Sequence, residues 1–284
     1  MKSIAVNDLP QYSRWISALL SDSQIKRVKE PPQIMREFGL EKWGGLLAKW
    51  QAEPCGIETV REWEVSSETA GIFGGQLMLM SATESFDCQV NWVEQALLEE
   101  PSSHLLEIGC GYGSVLFELL SRGRMNYQSV FGLEYTQQGV ELAQRLARWH
   151  HLDVTIGQGD FNVPKLSSIA IPAQCDVLTS FSISYVRDIP GALANIIKLK
   201  PRRVLHFEPI VEHCDEKTVL GLLQRKYLEV NDYNQSLRSS LVRMEEAGSI
   251  EIMREESQIW GGNCLAPLSL MVWRPIDTAK NNGV

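Results

Sequence analysis

From Leu105 onward, short apolar runs rich in β-branched residues alternate with stretches of helical period. That alternation predicts βαβ units feeding a mostly parallel sheet. The spacing predicts strands over 104–109 (HLLEIG), 130–134 (VFGLE), 154–159 (VTIGQG), 175–181 (CDVLTSF) and 203–208 (RVLHFE), with helices in the gaps. The first helix, 114–121, should stop at Arg122 and Gly123, a basic residue and a glycine where a helix C-terminus wants them. The second, 137–149, sets Val140, Ala143, Leu146 and Ala147 on one face, and the third runs over 190–199 behind Asp188 as a cap. Two more helical stretches, 216–229 and 233–246, precede the runs IEIMREESQIW and LSLMVWRP, which read as an antiparallel hairpin closing the sheet edge.

The first hundred residues follow another pattern. Trp15, Ile16, Leu19 and Leu20 suggest an amphipathic helix, Pro31-Pro32 is expected to break the chain, and Trp43, Leu46, Leu47 and Trp50 continue at helical spacing. Few strand signals precede Leu105, so residues 1–95 are expected to form a mainly helical lid, too apolar for disorder. Trp43 and Trp50 read as core packing, although aromatic faces also suit a lid over a cation.

Composition narrows the function. At 284 residues and 44% hydrophobic, the chain can build one large core with an appendage. A formal net charge of -8 argues against holding a nucleic-acid backbone, and the short basic run 198–203 reads as a solvated face. Six cysteines lie scattered without a C-x-x-C pair, and the opening MKSIAVNDLP turns polar before any apolar region forms, so a cytoplasmic protein with free thiols is expected. The longest nearly apolar run, AGIFGGQLMLM at 70–80, is too short and glycine-rich to span a bilayer. No membrane or nucleic-acid partner is expected, and the oligomeric state is not readable.

The candidate chemistry begins at LLEIGCGYGS, 105–114. A glycine-rich turn between a strand and a helix brings backbone N–H groups and a positive helix end to a ligand. A dinucleotide turn wants G-x-G-x-x-G/A, and here the third glycine falls one place early. The segment Glu107-Ile108-Gly109-Cys110-Gly111-Tyr112-Gly113 resembles instead the first motif, acid-x-G-x-G-x-G, of the class I S-adenosylmethionine (SAM)-dependent methyltransferases. The resemblance extends over about 100–275. It implies a doubly wound α/β fold with a mostly parallel seven-stranded sheet ending in an antiparallel hairpin, and a SAM-binding domain over 96–277. It also implies that Glu134 accepts from the ribose hydroxyls, that Tyr135 lies on the adenine, and that Asp160 and Phe161 meet the adenine amino group and ring. Glu107, Gly109, Gly111, Gly113 and Phe181 complete the implied cofactor set.

In this architecture the ends of strands four and five face the reactive carbon. Phe181-Ser182-Ile183-Ser184-Tyr185 lacks the Asn/Asp/Ser-Pro-Pro-aromatic segment of the nucleic-acid amino-methyltransferases, so base modification is not expected. Tyr185 is the candidate for the reacting centre, as proton acceptor or as a π face, against a packed tyrosine; Glu208 is the candidate to orient an amine or hydroxyl, against a capping or surface role. His206 and Glu208 share a strand face, but Glu212, His213, Cys214 and Asp215 follow without metal-ligand spacing, so no metal is expected. Two activities share such a cofactor site. One is N- or O-methylation of a small metabolite; the other is attack on the methionine carbon chain, as in aminocarboxypropyl transfer or closure to azetidine-2-carboxylate, releasing methylthioadenosine.

Overall fold

The computed structural model describes residues 1–21, 27, 30–64 and 68–276, so the expected domain end at 277 lies outside the described residues. Among the described residues ten strands form one sheet, in the order β1-β3-β2-β9-β10-β8-β7-β4-β5-β6. They are β1 (Lys2–Ser3), β2 (Thr69–Phe73), β3 (Gln76–Met80), β4 (His104–Ile108), β5 (Ser129–Glu134), β6 (Thr155–Gln158), β7 (Asp176–Ser180), β8 (Arg203–Glu208), β9 (Ile250–Gly261) and β10 (Leu268–Pro275). The run β8-β7-β4-β5-β6 is parallel, and β10 and β9 add antiparallel to β8. Side chains alternate between faces: Leu105, Val130, Leu178 and Leu205 enter one core, and Leu106, Phe131, Val177 and Val204 enter the other. Both faces are therefore buried, as the near-continuous apolar runs required.

The seven expected strands are present, but the sheet has ten, because the N-terminal segment supplies three. The run AGIFGGQLMLM is a hairpin: Gly74 and Gly75 have φ of +56° and +76°, and Phe73 pairs with Gln76 across them. Two residues at positive φ make the tight turn whose twist matches antiparallel strands. The hairpin joins the sheet where Ile72 meets Gly261 and Phe73 meets Trp260. Gly71 permits this, since a Cβ there would lie 2.3 Å from Gly261 O.

Pro31-Pro32 does not break the chain. The pair occupies the start of helix Pro31–Ile34, where the missing N–H groups cost nothing, and the helix runs on through a wider-pitched segment, Met35–Trp43, into helix Gly44–Ala52. The Gly44 N–H reaches back to Gly39 O, five residues earlier, which marks the π-type pitch. Helix Ala82–Leu98 follows the hairpin, capped by Ser81 and Glu84 in a reciprocal box, and the expected boundary near residue 95 falls inside it. Beyond β4 the helices Ser114–Arg122, Gln137–Trp149, Ile189–Lys198, Val219–Val230 and Leu237–Glu246 lie close to their sequence spans. Gly123, at φ +63°, ends the first, and Asp188 Oδ1 accepts from Gly191 N at 3.0 Å to start the third. Among the described residues no helix is long and apolar enough to cross a membrane.

At the end of the sheet away from the glycine loop, Asp176 is 1% exposed and accepts from Arg203 Nε at 2.9 Å and Arg202 Nε at 2.7 Å. Arg203, 3% exposed, also donates to the carbonyls of Leu97 and Glu100, tying helix Ala82–Leu98 to β8. Removing the carboxylate strands a buried guanidinium. Asp176→Ala is expected to cost about 3–5 kcal/mol of stability, read as a lowered urea midpoint at unchanged slope; a wild-type midpoint would assign the pair no role in holding that end.

Candidate active site

The chain leaves β4 at Ile108 and turns on Gly109, Gly111 and Gly113, at φ of +80°, +58° and +86°. These left-handed values alternate with Cys110 and Tyr112, a path open to glycine at little cost. The turn is held to the next strand because Gly109 N and Cys110 N both donate to Leu133 O, at 2.6 and 3.0 Å. A Cβ on Gly109 would lie 2.2 Å from Ser182 Cβ, so the loop also packs against the segment after β7.

Two carboxylates stand behind this loop. Glu134, ending β5 and 6% exposed, accepts through Oε2 from Gly111 N at 3.1 Å. Its Oε1 accepts from Thr136 N at 2.9 Å and Thr136 Oγ1 at 2.8 Å. Burial raises its pKa, opposed by those hydrogen bonds. Glu107, ending β4, is 3% exposed, and its buried Oε2 has no hydrogen-bond partner. Burial first, and then the Glu134 charge, push the Glu107 carboxyl up to about 8. A buried acceptor without a donor is unusual, and a carboxyl held near 8 is mostly protonated at neutral pH.

Above the loop opens a cavity of about 570 Å³, within the range of small-molecule sites. Glu107, Gly109, Gly111, Glu134, Tyr135, Asp160, Phe161, Phe181 and Tyr185 all line it. Gly113 does not; it precedes helix Ser114–Arg122, where a Cβ would strike the Phe117 ring at 2.5 Å. Asp160 Oδ1 accepts from Asn162 N and Nδ2, both at 2.8 Å, which fixes the turn after β6. Phe181, the residue after β7, adopts φ +52°, a strained value for a side chain of that size.

Two candidates for the reacting centre fare differently. Tyr185 reaches the cavity, its ring 5.2 Å from Phe38 and 5.1 Å from Tyr233, with its hydroxyl 3.2 Å from Tyr233 OH. Burial pushes that hydroxyl above the ordinary tyrosine range, so at neutral pH it is a phenol and holds no phenolate for use as a base. Glu208 does not line the cavity. It is 0% exposed, and its carboxylate accepts from the backbone N–H groups of Ser182 (3.0 and 3.1 Å), Ile183 (3.3 Å) and Ser184 (3.3 Å). It caps the turn after β7 and has no open side toward a substrate.

His206 is buried beside it. Trp273 Nε1–H donates to His206 Nε2 at 3.0 Å, which leaves the ring proton on Nδ1 to donate to Thr179 Oγ1 at 2.8 Å. Burial pulls its pKa down to about 3, so it is neutral. Glu212 accepts from Arg238 N and Ser239 N, and His213 Nε2 meets Glu255 at 2.8 Å. Among the described residues no group of three or more His, Cys, Asp or Glu is placed to hold a metal ion.

The N-terminal segment contributes cavity residues that sequence periodicity left in the packing class. Trp43 lies over the glycine loop: a Cβ on Gly111 would meet its ring at 3.0 Å, and its ring centroid is 5.4 Å from that of Tyr112. Tyr112 OH donates to Glu64 Oε2 at 2.7 Å, and Glu64 Oε1 is 2.7 Å from Lys42 Nζ. Arg61, Phe86, Gln89 and Trp260 line the cavity as well. The signal available in sequence was the aromatic and charged content of the segment, without a register to aim it.

A family model described as methyltransferase domain matches residues 99–257. The sequence matches none of the curated proteins it was compared with. Among solved structures, the [4+2]-cyclase SpnF is 15% identical with a TM-score of 0.56, the match covering 89% of this chain and 99% of that one. The small RNA methyltransferase HEN1 is 13% identical with a TM-score of 0.51, over 69% of this chain and 26% of that one. The magnesium protoporphyrin IX methyltransferase ChlM from Synechocystis PCC 6803, solved with bound SAM, is 13% identical with a TM-score of 0.47, over 68% and 82% of the two chains. At these identities the likeness is one of fold, and the family is set by the matched domain. The chain belongs to the class I methyltransferases, enzymes that use S-adenosylmethionine.

Proposed function

We propose that this enzyme transfers the methyl group of SAM to a nitrogen or oxygen of a small-molecule acceptor bound in the cavity under the N-terminal segment. The observation that carries the reading is the convergence of Glu107, Glu134 and Asp160, at or just beyond the ends of β4, β5 and β6, on one cavity of about 570 Å³. The residues fit the cofactor: Glu107, with its orphaned buried oxygen, suits the ammonium of the methionyl end. Glu134 suits the ribose hydroxyls, Tyr135 and Phe161 the faces of the adenine, and Asp160 its amino group. Three of the roughly four lone-pair sites of the Glu134 carboxylate are already in use, so ribose hydroxyls compete with Thr136 for it.

SAM supplies, when bound, an activated methyl carbon on a sulfonium. The protein's task is then to align an acceptor, exclude water and steady positive charge. Phe181 and Tyr185 edge the cavity where β7 ends, and the Tyr185 ring offers a π face with Phe38 and Tyr233 behind it. Its phenol holds a hydrogen bond instead of removing a proton, so the acceptor loses its proton to solvent or arrives deprotonated. The aromatic lining favours an acceptor with an apolar body, and the net charge of -8 disfavours a nucleic acid.

The test of the activity is mass spectrometry of the protein incubated with SAM, with and without a metabolite pool. S-adenosylhomocysteine appearing only with the pool supports methyl transfer and makes the pool the place to find the acceptor; methylthioadenosine accumulating with SAM alone replaces it by attack on the methionine chain. For the cofactor site, Glu134→Ala is expected to weaken SAM binding by about 2–3 kcal/mol in calorimetry, and unchanged binding would remove Glu134 from it.

Glu107 makes a pH prediction. Its carboxyl sits near 8 in the folded protein against about 4.3 unfolded, so between those values the folded state holds a proton that the unfolded state has released. Its contribution to stability is complete below the lower value and is lost as pH rises through the upper one. A cation beside Glu107 lowers its pKa, so SAM binding at pH 7 is expected to release a proton, seen as a dependence of the binding enthalpy on the buffer's ionisation enthalpy. Glu107→Gln should abolish that dependence. Wild-type protein showing none would separate Glu107 from the ammonium.

A further inference from the structure

Among the described residues lining the cavity, two side chains are cationic, Lys42 and Arg61. Lys42 is already spoken for, 2.7 Å from Glu64 Oε1 and 4.4 Å from the Trp43 ring centroid. Arg61, on helix Ile57–Glu64, is in a different state: its Nε and Nη2 are both buried and neither has a hydrogen-bond partner. Those two nitrogens share one edge of the guanidinium, the fork whose parallel N–H bonds match the two oxygens of a carboxylate. The Phe86 ring centroid lies 3.7 Å from the guanidinium carbon, a cation–π contact that holds the planar fork in place. The nearest carboxylate, Glu118, stands 3.6 Å from Nη2, beyond hydrogen-bond reach, and accepts from Arg122 Nε at 3.1 Å.

The cavity therefore holds two orphaned groups, a carboxyl oxygen of Glu107, which becomes a carboxylate when a cation arrives beside it, and the fork of Arg61. They complement the two charges of an α-amino acid zwitterion, and SAM carries one at its methionyl end. Arg61 also stands at the matching end of the loop: it is close enough to act electrostatically on Tyr112, and Ser114, which opens helix Ser114–Arg122, lines the cavity with it. Backbone N–H groups at that helix start add to the attraction for a carboxylate.

We propose that Arg61 anchors the methionyl carboxylate of SAM, so that the N-terminal segment, outside the matched methyltransferase domain, completes the cofactor site. This rests on the cofactor reading above and deepens it. The segment then takes part in binding only ligands with an amino-acid end, and adenosine compounds without one bind without engaging it.

The test is calorimetry on wild type, Arg61→Gln and Arg61→Lys with two ligands: S-adenosylhomocysteine, which undergoes no turnover, and its decarboxylated analogue, S-adenosyl-3-thiopropylamine. Wild type is expected to bind the decarboxylated ligand about 10- to 100-fold more weakly, the size of a lost charge-assisted pair. Arg61→Gln is expected to lose that same factor for S-adenosylhomocysteine and nothing for the decarboxylated ligand, whose unchanged affinity also shows that the variant is folded. Arg61→Lys, which keeps the charge without the fork, should fall between. Equal affinity of wild type for the two ligands overturns the proposal without reference to any variant. An Arg61→Gln variant that weakens both ligands alike overturns it too and assigns Arg61 to packing with Phe86 and Glu118. Wild-type protein that binds neither ligand overturns the cofactor reading itself.

Discussion

The carboxylate of Glu134 is the point to which the ligand side of the sheet is tied. It reaches across from the end of β5 to the backbone of Gly111 and fastens Thr136, the cap of helix Gln137–Trp149. A charge this deeply buried is tolerable only when its lone pairs are met, and they are met by groups that set the shape of the cavity floor. The glycine loop therefore keeps its left-handed path before any ligand arrives. Burial raises the pKa of Glu107 and the same carboxylate adds to that rise, so one side chain both anchors the loop and contributes to its electrostatic preparation.

Glu208 repeats the device on the neighbouring strand. Its two oxygens gather the N–H groups of Ser182, Ile183 and Ser184 and bend the chain where β7 ends, with Phe181 forced to positive φ just before. Buried acids that accept from backbone amides take the place of regular hydrogen bonding where strands stop. Strain at Phe181 is tolerated because the turn beyond it is fixed by this carboxylate and by Ser182 Oγ, which donates to Ile108 O at 2.7 Å.

How far the sequence could be read followed the range of the interactions. The parallel strands and their helices carry local signals, apolar runs, caps and a glycine stop, and their observed spans differ from those expected by a few residues. The glycine loop and the acid ending β5 could be placed in the chain because strand order brings them to one edge of the sheet. Three things were not. The hairpin at Gly74-Gly75 was hidden in an apolar run whose two glycines were weighed as breakers of a membrane span. The choice between orienting a substrate and capping, both open for Glu208 in the sequence, is decided by a turn 26 residues away in the chain. The fork of Arg61 depends on Phe86 and on what fails to approach it, an absence that no pattern along a chain can encode.

The hairpin at Thr69–Met80 bears on how the molecule behaves among its neighbours. A sheet that ended at β9 would present a twelve-residue open rim, the kind of template on which strands of separate molecules stack. The hairpin covers that rim at Gly261 and Trp260, beside the cavity, and at Ile259, whose carbonyl accepts from Gly74 N. Further along, β9 carries Glu251, Arg254, Glu255 and Glu256, a dense alternation of charge that an incoming strand would have to desolvate. The chain thus guards its rim in two ways, by pairing where an intruder would obstruct the site and, elsewhere, by charges already held in ion pairs with Arg274, Glu99 and Arg238, which a docking strand would have to break up and strip of water.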